Sequence, residues 1–305
     1  MRRRAVDDII LELKMAKERY RPKAIWFVED TFIFNKKFMR EFAEKYGAEI
    51  GLPFFCNTIP DFFDEEILAD LVTAGMANVE VGIQSLDAHT RLNYFGRKES
   101  NEDYGRFVGL LRKLGVYVNT DHIVNPWDSR ESLKKQIRLY SEYRPSFISV
   151  FRLQYFPDTP IMDHAINSGF LTPDDKKAAG DGYVLNYFNG GSVGEVLDDQ
   201  HDLLILLNLT PFLPRSVTGF LLDTGLHKLL RFVPGKIFLL IHGLSALARK
   251  ADVPGRVQLK LMVWSWIGYK PTVTADQVKS VHEISQIKQN LNVRPAKPLS
   301  RKLAG

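Results

Sequence analysis

The sequence predicts an α/β fold with a parallel sheet, followed by a mainly helical region, on three observations. Between residues 5 and 170, strand-like apolar runs alternate with segments of 3- and 4-residue apolar spacing. The repeat is roughly 30 residues long, the size of a βαβ unit. The strand-like runs are apolar throughout rather than alternating, as expected of strands covered on both faces. From about residue 171 that rhythm stops, and proline-punctuated apolar segments take over.

Val6, Ile9, Ile10, Leu13 and Ala16 make one face of an opening helix, which Pro22 ends. AIWFV (24–28) is the first strand, and Asn35 is the N-cap of a helix carrying Phe38, Met39 and Phe42 that Gly47 should close. LPFFCN (52–57) is the second strand; Asp64 caps the next helix, with Ile67, Leu68, Leu71 and Val72, and Gly75 stops it. NVEVGI (78–83) follows, then a helix with Tyr104, Phe107, Val108, Leu111 and Leu114 ended by Gly115. VYVNTDHIV (116–124) is a strand, and Ser129 starts a helix with Leu133 and Ile137. SFISVFRLQYF (146–156) is the last clear strand, before a shorter helical pattern near 160–168.

Residues 171–200, rich in Asp and Gly, read as a loop-rich connector between a 1–170 unit and a 201–270 helical region. In that region DLLILLNL, VTGFLLDTGLHKLLRF and KIFLLIHGLSALARK give two or three helices, packed on the sheet or lying on a membrane surface. The polar, lysine-rich stretch 271–305 reads as a flexible tail.

With 45% apolar and 25% charged residues in 305, the chain can bury a large core, and its net charge of +5 is spread out. Arg2-Arg3-Arg4 reads as a solvated helix start, so no nucleic-acid partner is predicted. The first ten residues are charged rather than apolar, and no stretch of about 18 apolar residues occurs, which points to a cytoplasmic, at most membrane-peripheral protein. The single cysteine, Cys56, rules out an internal disulfide and any multi-cysteine metal site within the chain, so no metal ligands are assigned.

Function belongs at the carboxyl ends of parallel strands, in a closed barrel or an open sheet alike. There the sequence places Glu29-Asp30, Cys56-Asn57, Gly82-Ile83-Gln84-Ser85, Asp121-His122 with Asn125-Pro126-Trp127-Asp128, and Pro157-Asp158-Thr159. One such carboxylate is often a helix N-cap, but polar groups at five successive strand ends suggest a polar mouth in an apolar surround. Glycine at position 82 would let backbone approach a ligand, with Gln84 and Ser85 supplying contacts. Asp121, His122 and Asp128 could alternatively serve acid–base chemistry in an aldolase-like barrel, although no lysine ends a strand for a Schiff base. His201, His227 and His242 lack metal-ligand spacing, and Trp264 and Trp266 read as one buried face of a short element.

Across residues 1–170 the sequence resembles the radical S-adenosylmethionine superfamily, in its cobalamin-associated branch. The resemblance rests on FVEDTFIFNKKF (27–38), IGLPFFCNTIPDFFDEEILADLVTAGM (50–76), VEVGIQSLD (79–87) with Arg97, DHIVNPWDSRESL (121–133) and LQYFPDTPI (153–161). It implies a partial TIM-type (β/α) barrel lacking its first strand, with S-adenosylmethionine bound at the strand ends. By position, Glu29 and Asp30 would meet the methionine amino group, and Gln84 and Ser85 the ribose or methionyl part. Arg97 would pair with the methionine carboxylate, and Ile123 to Pro126 would lie against adenine, where the family commonly has a glycine in the place of Val124 or Asn125. Asn57, Gly82 and Asp121 complete the implied cofactor surface; no catalytic residue is assigned.

Family members hold a [4Fe–4S] cluster on a CxxxCxxC loop after the first strand, because the soft irons need thiolates. The resemblance therefore implies a cluster, and in this branch cobalamin, only in a longer parent protein. An upstream cobalamin-binding domain or a split partner chain would complete it, for radical-based modification of a small-molecule or lipid-like substrate, with methyl transfer a common reaction in this branch. The isolated chain is expected to be inactive in radical chemistry. A degenerate, non-catalytic barrel acting as a binding or partner module is the alternative.

Overall fold

The computed structural model describes residues 4–61, 64–182, 185–186 and 194–233. The 271–305 tail, Trp264, Trp266, His242 and the KIFLLIHGLSALARK segment lie outside them.

Helix α1 (Val6–Tyr20) precedes β1 (Ile25–Phe27), α2 (Lys36–Glu49), β2 (Phe54–Thr58), α3 (Glu65–Ala74) and β3 (Met76–Gln84). Then come α4 (Ala88–Asn93), α5 (Asn101–Lys113), β4 (Tyr117–Val124), α6 (Arg130–Tyr143) and β5 (Phe147–Arg152). The five strands form one sheet in the order β1-β2-β3-β4-β5, with every pair parallel. This is the α/β architecture expected, with crossover helices packed on one face and a mainly helical region after it.

The cap residues do what their types predict. Asn35 accepts a hydrogen bond from Phe38 N, Asp64 from Ile67 N, and Ser129 from Ser132 N, each satisfying an orphan first-turn donor. Gly75 ends α3 at φ 128°, and Gly115 follows α5 at φ 80°, a region where L side chains are strained. Gly47 departs from expectation: α2 runs through it to Glu49. A Cβ at Gly47 would sit 3.4 Å from Ala74 Cα, so this glycine lets α2 and α3 approach closely rather than stopping the helix.

Alternation along the strands sorts the sheet into two faces. Phe54, Cys56, Val79, Val81, Ile83, Val118 and Ile148 join the core against the helices. At its β1 end, Phe27, Phe32, Phe42, Tyr46 and Phe54 pack mostly edge to face, with ring centroids 4.7–6.2 Å apart. Cys56 is 1% exposed and sits against Met76; burial pushes its thiol pKa upward, so it behaves as a small apolar residue. The other face carries Asn57, Glu80, Gly82, Gln84, Asn119, Asp121, Ile123 and Ser149.

The last strand is shorter than its apolar run. Leu153 breaks it, and β6 (Gln154–Tyr155) pairs antiparallel with β7 (Leu185–Asn186). Between them lie α7 (Pro160–Asn167) and α8 (Pro173–Gly180). Helix α8 falls where a loop-rich connector was expected. A capping box between Thr172 and Asp175, with proline in the first turn, outweighs the helix-poor composition there.

The chain continues into α9 (Gly194–Leu209), a 3-10 turn (Thr210–Phe212), α10 (Arg215–Thr224) and a second 3-10 helix (Leu226–Phe232). Leu203, Leu206 and Leu207 of α9 join the main core at 0% exposure, so this helix is packed on the sheet unit. Among the described residues no helix is long and apolar enough to cross a membrane.

Candidate functional site

The outer face of the sheet gathers polar groups in register. Asn57 lies opposite Glu80, Glu80 opposite Asn119, Gly82 opposite Asp121, and Asp121 opposite Ser149. Four strands thus contribute to one polar band that runs across the middle of the sheet and reaches the carboxyl end of β3 at Gln84. Asn119 and Ser149 satisfy each other at 2.9 and 3.0 Å. Asn57 Oδ1 is buried without a hydrogen-bond partner, an acceptor available to a ligand.

Glu80 was not singled out from the sequence, because it sits inside an apolar run. Its position alternates with Val79 and Val81, which was the available signal. It turns out to be the partner of Asp121: burial, then the hydrogen bond and the charge of Glu80, push the Asp121 carboxyl well above the usual range, while Arg97 pulls it back. Asp121 therefore keeps a proton at neutral pH and shares it with Glu80, which accounts for an Oδ1 atom that receives no other donor. The sign for stability follows. The native state binds more protons than the unfolded chain between the ordinary carboxylate range and about pH 9, so stability falls as pH rises through that window. Asp121→Asn should flatten the decline, with the variant gaining on the order of 1 kcal/mol over wild type between pH 6 and 9 in urea unfolding.

At the end of β3 the register shifts between Gly82 and Gln84, and Gln84 takes φ 68°. A bulge here re-aims the side chain. The Gln84 amide folds back over the strand, with Nε2 3.0 Å from where a Gly82 Cβ would be, and Arg97 Nη2 lies 3.9 Å from the same point. The room that glycine creates is bordered by Gln84 and Arg97, and the Arg97 charge is near enough to act on Asp121. Glu99 steadies Arg97 at 3.6 Å.

Ser85 contributes differently from Gln84. It is fully buried, donates to Gln136 Oε1 at 2.9 Å, and its carbonyl accepts from Arg91 Nη1 at 2.9 Å. It belongs to a buried network centred on Asp128, whose carboxylate accepts from Thr90 Oγ1 at 2.7 Å, Gln136 Nε2 at 2.9 Å and Asn125 Nδ2 at 3.0 Å. Burial raises the Asp128 pKa against the effect of these donors. Asn125 Oδ1 accepts from the backbone of Trp127 and Asp128, so this side chain builds the turn that carries Pro126. The network bolts the loop after β3 to the loop after β4. Ile123 and Pro126 flank it, half-buried.

Glu29 and Asp30 follow β1 and are exposed, at the same end of the sheet. His122 is not part of the band. It is 1% exposed on the helix side, 3.3 Å from the Tyr140 hydroxyl, and burial lowers its pKa to about 4. His122 and Asp121 point to opposite faces, which removes the aldolase-like acid–base arrangement. His201 and His227 serve packing: His201 Nε2 meets Val233 O at 2.9 Å, and His227 Nδ1 meets Asp202 at 2.8 Å.

A [4Fe–4S] cluster does not fit this donor set. The chain has one cysteine, buried against Met76. Among the described residues no three His, Cys, Asp or Glu side chains could hold a metal ion. On the same face, the Asn57 Oδ1 acceptor, the Glu80–Asp121 pair and the Arg97 guanidinium offer an acceptor, a protonated carboxyl and a cation to a small polar ligand.

Comparison with known proteins agrees with the fold. Residues 1–135 match the model of the Radical SAM superfamily. Uncharacterized methyltransferase PH0819 from Pyrococcus horikoshii is 22% identical over 169 residues, 55% of this chain and 37% of that protein. The radical S-adenosylmethionine methyltransferase TsrM from Kitasatospora setae, solved with cobalamin and a [4Fe–4S] cluster, superposes with a TM-score of 0.50 at 17% identity, over 56% of this chain and 35% of TsrM. The cobalamin-dependent S-adenosylmethionine radical enzyme OxsB, with aqua-cobalamin bound, gives a TM-score of 0.55 at 12% identity, over 94% of this chain and 51% of OxsB. The chain thus spans between about a third and a half of the length of these relatives.

Proposed function

With residues 1–135 assigned to the radical SAM superfamily, we propose that the polar face of the sheet binds S-adenosylmethionine for a radical-based modification, cobalamin-dependent methyl transfer in the whole protein. The observation that carries the reading is the meeting of Gln84 and Arg97 over Gly82 at the carboxyl end of β3, with the Glu80–Asp121 pair on the same face in the middle of β3 and β4. Arg97 would hold the methionine carboxylate with its guanidinium fork, and Gln84 would orient the ribose. Asn57 and the exposed Glu29 and Asp30 would take the amino group, and Ile123 to Pro126 would form the wall for adenine.

In that superfamily a [4Fe–4S] cluster supplies the electron that cleaves S-adenosylmethionine. Cys56 alone cannot ligate one, so the cluster and cobalamin belong to another part of the parent protein or to a partner chain. The substrate is a small molecule or a lipid-like one. The same burial of Cys56 favours the second reading, a binding module without catalysis of its own.

Calorimetric titration with S-adenosylmethionine should give saturable binding, weakened about tenfold by Arg97→Ala, the scale of one charge-assisted fork. Lack of any saturable heat at millimolar ligand removes the reading. Equal affinity in the variant would take Arg97 out of the site.

A further inference from the structure

The segment from Arg215 to Phe232 exposes large apolar side chains in an ordered way. On α10, Val217 is 39% and Phe220 57% exposed, one turn apart. In the second 3-10 helix, Leu226, Leu229 and Phe232 are 42%, 62% and 71% exposed. A 3-10 helix has three residues per turn, so residues three apart lie in one line. The helix therefore has three lines. Leu226, Leu229 and Phe232 make the outward apolar one. His227 and Leu230 make the inward one, with His227 fully buried on Asp202 and Leu230 packed on the core. Lys228 and Arg231 make the third, both exposed, with the Arg231 guanidinium 4.7 Å from the Phe232 ring centroid.

The charge beside this apolar line has one sign. The segment carries Arg215, Lys228 and Arg231 but only one acidic residue, Asp223, and that is paired with Arg138 at 2.6 Å. Arg215 pairs with Glu142 at 3.1 Å, which leaves the 3-10 helix as the basic end. Exposed leucine and phenylalanine flanked by lysine and arginine match the interfacial zone of a bilayer, where apolar groups enter the acyl boundary and cations meet headgroups.

We propose that the α10 and 3-10 helix face, through Leu226, Leu229, Phe232, Lys228 and Arg231, docks this protein on an anionic lipid surface. The inward anchoring by His227 and Leu230 fixes the helix on the protein, so the outward line is presented rather than inserted as a free peptide. The proposal is independent of S-adenosylmethionine binding and fits a lipid-like substrate without requiring one.

The test is co-sedimentation of the full chain with vesicles of equimolar phosphatidylglycerol and phosphatidylcholine, and with phosphatidylcholine alone. The anionic vesicles should pellet the protein, the neutral ones should not, and added salt should release it. Leu229→Glu with Phe232→Glu, and separately Lys228→Glu with Arg231→Glu, should each weaken binding about tenfold or more. Circular dichroism and melting temperature should stay at wild-type values, since these side chains are exposed. Failure to pellet with anionic vesicles overturns the proposal, as does equal binding to neutral ones. A drop in melting temperature in Leu229→Glu with Phe232→Glu would show that the chain itself covers the face. A wild-type dimer that the same variant dissociates would show that a second copy does. Either result overturns the lipid assignment.

Discussion

Asp128→Ala is expected to destabilise the protein by about 3 kcal/mol, the largest loss foreseen for a single polar substitution. Asp128 is 5% exposed and takes hydrogen bonds from Thr90, Asn125 and Gln136 at 2.7–3.0 Å. Alanine leaves three buried donors facing a small cavity, and each unsatisfied buried group costs about 1–3 kcal/mol before relaxation. Asp128→Asn keeps the volume but turns a donor toward a donor, so an intermediate loss is expected. Urea unfolding at pH 7 measures both. Because the network joins the loops after β3 and β4, S-adenosylmethionine affinity should fall in Asp128→Asn even where the protein is still folded. A variant within about 0.5 kcal/mol of wild type would show that the network is dispensable.

Asp202→Ala should cost a similar amount, about 3 kcal/mol, through a different cause. Asp202 receives Arg130 through both carboxylate oxygens, at 3.0 and 2.9 Å, and His227 at 2.8 Å. Burial opposes ionisation of Asp202, but Arg130 and His227 outweigh it and hold the carboxyl below its ordinary range. Removing the carboxylate takes both acceptor oxygens away from a guanidinium that is 26% exposed and leaves the buried His227 imidazole without the partner of its Nδ1. The pH dependence distinguishes this tie from packing. A depressed carboxyl contributes stability above its unfolded pKa and loses it as pH falls through the folded value. Wild type should therefore lose its advantage over Asp202→Ala on acidification below about pH 4, as read by melting temperature across pH 3 to 7. A constant difference over that range would assign the effect to lost volume instead.

The sheet was legible in the sequence because its signals are local. Asn35, Asp64 and Ser129 cap where their side chains predict, Gly75 and Gly115 mark the stops, and the apolar runs are the strands. Glycine at position 47 misled because a helix terminator and a close-packing residue look alike without the neighbouring helix. Helix α8 was missed because Asp- and Gly-rich composition was weighed over the Thr172–Asp175 capping box, which was readable. The candidate site was legible as a set of strand ends, and Asn57, Gly82, Gln84, Arg97 and Asp121 do gather on one face. Which polar residue faces which side was not legible, since Asp121 and His122 are neighbours in the chain and opposites in the sheet. Arg130 and Asp202 are 72 residues apart, and no sequence period records such a pairing.

Arg130 opens α6, directly after the turn that carries Pro126, while Gln200 of α9 donates to the Asp128 carbonyl at 2.7 Å. Through Asp202, the same α9 grips His227 in the outward-facing 3-10 helix. Asp202 thus ties His227 of the 3-10 helix and Arg130 at the start of α6 to one carboxylate, and Gln200 ties the same α9 to the loop after β4, so three separate segments share a single helix as their anchor.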